Sequence, residues 1–302
     1  MDCTAPETCN LNSYSSGGGA IDSGDDGGDG TLTVSASTFV GGSAHYGGGI
    51  STWGNGSVST STFSANWAGY GGGLSNWGLA TFSVSSSTFS GNIAGANGGG
   101  IFSSGESSTV LLVSSSTFFG NRALGNPKAP GVDSFDAAGD GGAIANADDG
   151  SGTLAVWAST FSSNIAAGSG SAITNGINGG RGVPIIGVVE TAADIFNGTC
   201  DQLAGSSWSD QGYNVGSNPT CLGSPGTGDV SHGAGILTPL IYEGGPTATI
   251  SPLPGNPGIG LVPLSTTVTF NASTITLCPT TDQRGVDSAP GKACNAGAVQ
   301  FG

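Results

Sequence analysis

Apolar and polar residues alternate in the short segments that separate glycine-rich stretches in the first half of the chain. Residues 31–36 place Leu32 and Val34 on one side and hydroxyl-bearing residues on the other, and residues 153–157 repeat the pattern. A period of two is typical of a β-strand with one buried face. No segment between residues 17 and 173 has a helical period of 3.6. The pattern therefore predicts an all-β chain.

Two sequence elements alternate along residues 17–173. One is Ser-Thr-Phe, whose threonines are separated by steps of 24, 26, 29 and 43 residues. The other is a glycine run ending in an aliphatic residue, with looser copies at residues 17–21 and 170–173. The clear copies of Ser-Thr-Phe begin at Ser37, Ser61, Ser87, Ser116 and Ser159, and those of the glycine run begin at Gly47, Gly71, Gly98 and Gly141.

A unit of this length, with short strands and glycine turns, cannot bury its apolar side alone. Stacked units give each strand a parallel partner above and below, and merge the small apolar faces into one column. We therefore predict a right-handed parallel β-helix with disulfide-stapled terminal caps. Residues 1–16 are the expected N-terminal cap, residues 17–182 the repeats with a loop inserted at about 122–140, and residues 183–302 the last irregular rungs and the C-terminal cap.

Phenylalanine and asparagine recur at a fixed spacing inside the repeats. Stacked Phe side chains would form a core ladder, and stacked Asn side chains can hydrogen-bond along the column. The alternative for the asparagines is a sugar-binding row. The predicted ladder residues are Phe39, Phe63, Phe89, Phe118, Phe161, Asn66, Asn92, Asn121 and Asn164; Gly42 stands in place of Asn in the first repeat.

The six cysteines lie near the two ends of the chain. None has two-residue zinc-knuckle spacing, and neither His45 nor His232 is placed to complete a metal site. Disulfides in an oxidising compartment are the better interpretation. Six cysteines allow fifteen pairings, and pairing of neighbours in sequence would give Cys3–Cys9, Cys200–Cys221 and Cys278–Cys294.

Charge and hydropathy exclude several classes of protein. A net charge of −15, from 20 acidic and 5 basic residues, opposes binding to phosphate backbones, and there is no basic stripe for nucleic acid. No run of 18 apolar residues predicts a membrane span. The start at Met1 does not resemble a signal peptide. A cytosolic protein is one interpretation; we expect instead an extracellular protein whose leader has been removed.

Acidic residues in glycine-rich turns are the main candidates for chemistry. The sets are Asp22, Asp25, Asp26 and Asp29, and Asp133, Asp136 and Asp140. Solvated turn residues are the plainer interpretation and a Ca²⁺ site is the alternative, because oxygen-rich loops suit a hard cation. However, Leu32 stands where the calcium-binding nonapeptide repeat needs Asp. We expect no other cofactor.

Enzymes with a parallel β-helix need converging groups that the sequence does not supply. A glycosidase needs two carboxylates facing each other across the scissile bond. Asp25 and Asp26 are adjacent, as are Asp148 and Asp149, and adjacent strand residues point to opposite faces. The five basic residues offer no evident base for a lyase. We therefore expect no catalytic residues, with a polysaccharide lyase or glycosidase as the rival hypothesis.

Exposed aromatic and hydroxyl residues suggest two kinds of binding surface. Trp53, Trp67 and Trp77 lie near predicted turns, where they could stack against sugars or simply pack across a corner. Rows of threonine raise the possibility of an ice-binding solenoid. Serine interrupts these rows and the repeat length varies, so we do not expect a flat regular lattice.

The repeats resemble a known family of bacterial surface proteins. Phe-x-x-Asn at residues 63–66, 89–92, 118–121 and 161–164, and Gly-Gly-Ala-Ile at 141–144, are similar to motifs of polymorphic outer-membrane proteins. That family consists of surface β-helices implicated in adhesion. The resemblance implies a secreted or surface-displayed repeat protein.

The C-terminal third resembles a second family, the bacterial secreted proteins with a choice-of-anchor domain of Q type. The similar segments are residues 212–215, 244–247, 253–257, 278–285 and 294–298. The chain departs from the family at residues 258–260, where Gly-Ile-Gly replaces Ala-Ile-Asp. The resemblance implies attachment to the cell surface.

Together these features predict a non-catalytic, secreted or cell-surface β-helix that serves as an adhesin-like or structural module. Its expected partner is a host or environmental glycan or a protein surface. The alternative is a carbohydrate-active β-helix that binds or cleaves a polysaccharide. The chain would be a monomer, or would self-associate end to end into fibres, since exposed sheet edges invite pairing.

Overall fold

The computed structural model describes residues 8–9, 17–23, 30–78, 81–104, 109–126, 128, 132, 138–146, 151–176, 186–223 and 226–301. These residues form a right-handed parallel β-helix followed by a C-terminal segment with little regular structure. The fold class predicted from the alternation and the repeats is confirmed.

Each full rung of the coil contains four short strands, and equivalent strands of successive rungs form four parallel sheets. In chain order, a rung passes through sheet 1, sheet 2, sheet 3 and sheet 4. Sheet 1 contains β2 (Ile21–Ser23), β6 (Ile50–Thr52), β10 (Leu74–Trp77), β14 (Ile101–Ser104), β18 (Ile144–Asn146), β22 (Ile173–Asn175) and β25 (Cys200–Gln202). Sheet 2 contains β3 (Thr31–Ser35), β7 (Asn55–Ser59), β11 (Thr81–Ser85), β15 (Thr109–Ser114), β19 (Ser151–Trp157), β23 (Ile186–Ala192) and β26 (Ser207–Asp210).

Sheets 3 and 4 complete the rungs. Sheet 3 contains β1 (Thr8–Cys9), β4 (Thr38–Val40), β8 (Thr62–Ser64), β12 (Thr88–Ser90), β16 (Thr117–Phe119), β20 (Thr160–Ser162), β24 (Ile195–Asn197) and β27 (Val215–Gly216). Sheet 4 contains β5 (Ser43–Tyr46), β9 (Trp67–Tyr70), β13 (Ile93–Ala94), β17 (Arg122–Ala123) and β21 (Ile165–Ala166). A short 3-10 helix, Pro219–Cys221, follows β27, and an antiparallel hairpin of β28 (Thr267–Phe270) and β29 (Ser273–Thr276) lies in the C-terminal segment.

The strands stay in register although the rungs differ in length. Thr62 pairs with Thr88, Thr88 with Thr117 and Thr117 with Thr160, across steps of 26, 29 and 43 residues. The strand bounds place most of the additional residues between strands in the sequence. Varying repeat length therefore does not disturb the pairing of the strands.

Inward side chains of three sheets form the core. Sheet 1 contributes an aliphatic column, sheet 2 contributes mainly valine and leucine, and sheet 3 contributes phenylalanine. Each inward residue lies on its equivalent from the next rung, at about 4.8 Å along the axis. The core is thus continuous over the length of the coil, although each rung contributes only a few apolar side chains.

Left-handed backbone conformations make the corners. The turn between sheets 2 and 3 has positive φ at a residue that is never glycine, including Thr60 at 52° and Ser115 at 45°. The turn between sheets 4 and 1 uses glycine instead. A Cβ added to Gly71, which has φ +65°, would lie 2.2 Å from the Leu74 carbonyl oxygen, so only glycine fits there.

The C-terminal segment folds back along the outside of the coil. It covers the outer face of sheet 3 as far as Ser87 and Thr88 in the third rung, where Gln283 and Ala248 bind. Its hairpin and neighbouring residues bury Ala155 and Ala192 on the outer face of sheet 2. Residues 226–301 thus form a flank along the coil as well as following its last rung.

Candidate functional site

The Phe column lies at the centre of the core. Phe63 and Phe89 stack with ring centroids 4.5 Å apart, and Phe89 and Phe118 with centroids 5.1 Å apart. The same stacking extends through Phe39 and Phe161, and it includes Phe196, which the sequence analysis did not select. All six rings are fully buried. These side chains are thus inaccessible to a ligand.

The Asn column lies at the corner between sheets 3 and 4. Asn92 Nδ2 donates to Asn121 Oδ1 at 2.9 Å and to the Phe63 carbonyl at 3.0 Å, and Asn92 Oδ1 accepts from Asn66 Nδ2 at 2.9 Å. Asn121 and Asn164 repeat these bonds. In the first rung, the backbone N–H of Gly42 donates to Asn66. The amides bond to one another and to the backbone, which leaves no open row for sugars.

A second polar column lies at the inner edge of sheet 1, and the sequence analysis missed it. Its side chains are fully buried, and Asn146 Nδ2 donates to Asn175 Oδ1 at 3.1 Å. The signal in the sequence is a polar residue, asparagine in three of five rungs, two positions after the aliphatic residue that ends a glycine run. Its members are Thr52, Asn76, Ser103, Asn146 and Asn175.

Two of the predicted cysteine pairs are disulfides in the described part of the chain. Cys200–Cys221 joins β25 to the 3-10 helix, and Cys278–Cys294 joins the bend after β29 to the isolated bridge between Cys294 and Val262. The Cys3–Cys9 pairing lies outside the described side chains. The two bonds hold the last rung and the flank, where regular strand pairing is sparse.

The acidic residues selected as calcium ligands are only partly described. Asp22 is exposed on the outer side of sheet 1, whereas Asp25, Asp26, Asp29, Asp133 and Asp136 lie outside the described residues. Asp140 is buried and accepts a hydrogen bond from the Ser169 N–H at 2.7 Å. Burial raises the pKa of Asp140, against that hydrogen bond. Within the described ranges, no three His, Cys, Asp or Glu residues are grouped to hold a metal ion.

The three tryptophans do not form one stripe. Trp53 and Trp77 follow equivalent positions of β6 and β10 and stack with ring centroids 5.5 Å apart. Trp67 instead lies on the outer face of sheet 4, between Ser43 and Ile93. The three tryptophans therefore do not share one surface, although Trp53 and Trp77 do.

The tryptophan pair belongs to a larger aromatic cluster on the outer face of sheet 1. Trp77 contacts Tyr46 and Phe102 at centroid distances of 5.0 and 5.1 Å, and Phe102 contacts Tyr70 at 5.3 Å. We call Tyr46, Trp53, Tyr70, Trp77 and Phe102 the aromatic cluster. Tyr70 and Phe102 are buried, and the other three are partly exposed.

The aromatic cluster lies beside two buried hydroxyl groups. Ser51 and Ser75 are register partners that point away from the coil interior, and Ser75 is in turn paired with Phe102. Both serines are fully buried. Among the described residues, the Ser51 and Ser75 hydroxyls and the Trp77 indole N–H have no hydrogen-bond partner. The cluster thus combines partly exposed aromatic faces with buried polar groups beneath them, and it is the candidate site on the strength of the exposed faces.

Comparison with known proteins gives one match, within the repeats. Residues 86–104 and 115–147 match the Chlamydia polymorphic membrane protein repeat. A search of curated proteins and a search of solved structures each found no match. No helix in the described ranges is long and apolar enough to cross a membrane.

Proposed function

We propose that this protein is a non-catalytic β-helix that acts outside the cell, secreted or on the cell surface, as an adhesin-like module. The observation that carries the proposal is the match of residues 86–104 and 115–147 to the Chlamydia polymorphic membrane protein repeat. The matched residues include strands of the third to fifth rungs, so the similarity falls on the solenoid. The low content of charged residues and the disulfides agree with an extracellular role.

The C-terminal flank has a place in the same proposal. Its resemblance to choice-of-anchor proteins suggests that residues 212–298 belong to a unit associated with surface attachment. The flank is bound to the coil through the side chain of Gln283, which hydrogen-bonds to Thr88 and Thr117. We propose that coil and flank act together as one displayed unit.

The experiment tests binding and catalysis on the same protein. Purified protein with its disulfides intact is applied to arrays of glycans and of extracellular matrix proteins, and is incubated in parallel with a panel of acidic and neutral polysaccharides. Saturable binding without release of reducing ends or unsaturated sugars supports the proposal. Depolymerisation of any polysaccharide would make the protein an enzyme, and absence of binding to both arrays would argue against an adhesin.

The aromatic cluster favours a second, narrower candidate function, in which the module binds a glycan. Sugars stack on partly exposed aromatic faces, and this cluster presents such faces. The stacked Trp53 and Trp77 are the residues that we expect to contact the sugar. Trp67 provides a control, since it has the same side chain on another face of the same coil.

Three single variants test this candidate on any glycan that the array identifies. Trp53→Ala and Trp77→Ala should each weaken binding by tenfold or more, whereas Trp67→Ala should leave it unchanged. Thermal unfolding of each variant shows whether the coil remains folded. Equal binding by all three variants would exclude the aromatic cluster as the glycan site without affecting the wider proposal of an adhesin-like module.

A further inference from the structure

A column of serines follows the corner between sheets 2 and 3. In each rung the serine hydroxyl donates to the carbonyl two residues earlier, as Ser61 does to Ser59 at 2.7 Å. The same hydroxyl accepts the backbone N–H of the preceding rung's serine, as Ser61 Oγ does from Ser37 at 3.1 Å. From Ser61 to Ser159, each hydroxyl therefore uses its proton as well as a lone pair. The serines are Ser37, Ser61, Ser87, Ser116 and Ser159.

An aspartate takes the serine position in the sixth rung. Asp194 Oδ1 accepts the Ser159 N–H at 2.7 Å, and the Asp194 N–H continues the column to Asn214 Oδ1 at 2.8 Å. Asp194 is fully buried, and its second oxygen, Oδ2, has no hydrogen-bond partner in the described structure. A serine at this position has a proton to donate, and an ionised carboxylate has none.

Two further carboxyl groups adjoin this end of the column. Asp210 Oδ1 accepts from the Gly212 N–H and from Asn214 Nδ2, each at 2.8 Å, while its buried Oδ2 has no partner in the described structure. Asp229 Oδ1 accepts the Asn214 N–H at 2.8 Å. Asn214 thus bonds to both Asp210 and Asp229.

Burial favours the protonated forms of Asp194 and Asp210. Burial raises the pKa of Asp194 well above the usual carboxyl range, against hydrogen bonds from the backbone of Ser159 and Ala192 and with a smaller contribution from the charge of Asp210. Burial, followed by the neighbouring charge of Asp229, raises the pKa of Asp210 to about 7. The charge of Asp210 acts on Asp194, and the charge of Asp229 acts on Asp210. The charges involved thus belong to carboxyls of the same cluster.

The cluster lies where the coil meets the C-terminal flank. The Tyr213 N–H donates to the Thr227 carbonyl, the Val230 N–H to Asn214 and the Gly216 N–H to Val230, at 2.8 to 2.9 Å. Residues 226–230 are thereby joined to the residues around β27. The Asp229 side chain lies within this connection and accepts the Gly226 N–H.

We propose that Asp194, Asp210 and Asp229 form a proton-dependent latch that fastens residues 226–230 to the last rung. When Asp194 and Asp210 retain their protons, Asp194 donates from Oδ2 as the serines do from Oγ, and Asp210 places no like charge beside Asp229. When the protons are lost, the carboxylates repel one another in a buried site, and residues 226–230 separate from β27. This device is independent of whether the module binds a glycan or a protein.

The sign of the pH dependence follows from the raised pKa of Asp210. The folded protein holds a proton that the unfolded chain releases near the ordinary carboxyl value of 3.8. Stability from this group is therefore fully present below about pH 4 and is lost as the pH rises through about 7. The latch is closed in mild acid and weakened in mild alkali.

The test compares the melting temperature of four proteins between pH 4.5 and pH 8.5. They are the unmodified protein, Asp210→Asn, Asp194→Ser and, as a matched loss of one exposed charge, Asp287→Asn. Relative to the unmodified protein, Asp210→Asn and Asp194→Ser should gain several degrees more in melting temperature at pH 8.5 than at pH 4.5. Asp287→Asn should follow the unmodified protein at both pH values. If the melting temperature changes with pH by the same amount in all four proteins, the proposal is wrong.

Local opening is measured by hydrogen–deuterium exchange, corrected for the intrinsic effect of pH. Peptides covering residues 212–230 should lose protection between pH 5 and pH 8 in the unmodified protein and retain it in Asp210→Asn. Peptides covering residues 109–123 provide the reference within the coil. If residues 212–230 keep their protection at pH 8 in the unmodified protein, the latch does not open and the proposal is wrong, even if a variant fails to fold.

Discussion

The side-chain amide of Gln283 donates a hydrogen bond to Thr88 Oγ1 at 2.8 Å, although the two residues are 195 positions apart in the chain. The same side chain accepts from Thr117 Oγ1 at 2.6 Å. Thr88 and Thr117 are consecutive members of the outward threonine column of sheet 3, and all three residues are buried. A single glutamine thus joins the C-terminal flank to two rungs of the coil.

Replacing Gln283 with alanine should loosen the flank. Thr117 and Thr88 would lose a buried partner, and an unsatisfied buried polar group costs about 1–3 kcal/mol. We expect a loss of about 3 kcal/mol in the free energy of unfolding, measured by urea denaturation. Gln211→Ala is the control, because the only hydrogen bond of the Gln211 side chain in the described structure is to the exposed Ser209 hydroxyl. A loss below about 0.5 kcal/mol would show that the flank is held by other contacts.

Breaking the Asn column in its middle should destabilise the coil. Asn92→Ala removes hydrogen bonds to Phe63, Asn66 and Asn121 and leaves their buried groups unpaired. We expect a cost of about 3 kcal/mol in the free energy of unfolding. Asn92→Asp should cost at least as much, since it places a charge in the same buried position. Asn126→Ala, at an exposed position, provides the comparison. Equal free energies of unfolding for Asn92→Ala and Asn126→Ala would contradict the ladder.

The Phe column makes a separate prediction about packing. Phe89 is fully buried between Phe63 and Phe118, so Phe89→Ala leaves a cavity that neighbouring rungs cannot close. The expected cost is about 3–5 kcal/mol, and Phe89→Leu should cost less. Denaturation of both variants, together with Phe301→Ala at an exposed position, measures the difference. Similar costs for the buried and exposed positions would be inconsistent with this core.

The Cys278–Cys294 bond closes a short loop in the flank, with a sequence separation of 16 residues. A loop of this length corresponds to about 3 kcal/mol of stabilisation in the chain-entropy model. We expect Cys278→Ser combined with Cys294→Ser to expose the hairpin of β28 and β29 to proteolysis before the coil unfolds. The check is limited proteolysis with mass spectrometry, with the Cys200→Ser and Cys221→Ser pair for comparison. Simultaneous loss of coil and hairpin would show instead that the two unfold as one unit.

The sequence by itself determined the elements that depend on local chemistry. Alternation with a period of two requires strands with one buried face, and glycine runs mark the corners that need left-handed backbone. Ser-Thr-Phe recurs because each rung must present the same small set of side chains to its neighbours. For this reason the β-helix could be predicted from residues 17–173 without any knowledge of the remaining chain.

Only the tertiary structure decided which residues share a column and which face they occupy. Phe196 joins the Phe column from a segment without Ser-Thr-Phe, and Asp194 enters the serine column, because strand register aligns them across different rung lengths. Register also separates Trp67 from Trp53 and Trp77. The contact of Gln283 with Thr88 depends on the path of the flank. These relationships are non-local, so no periodicity within one rung could reveal them.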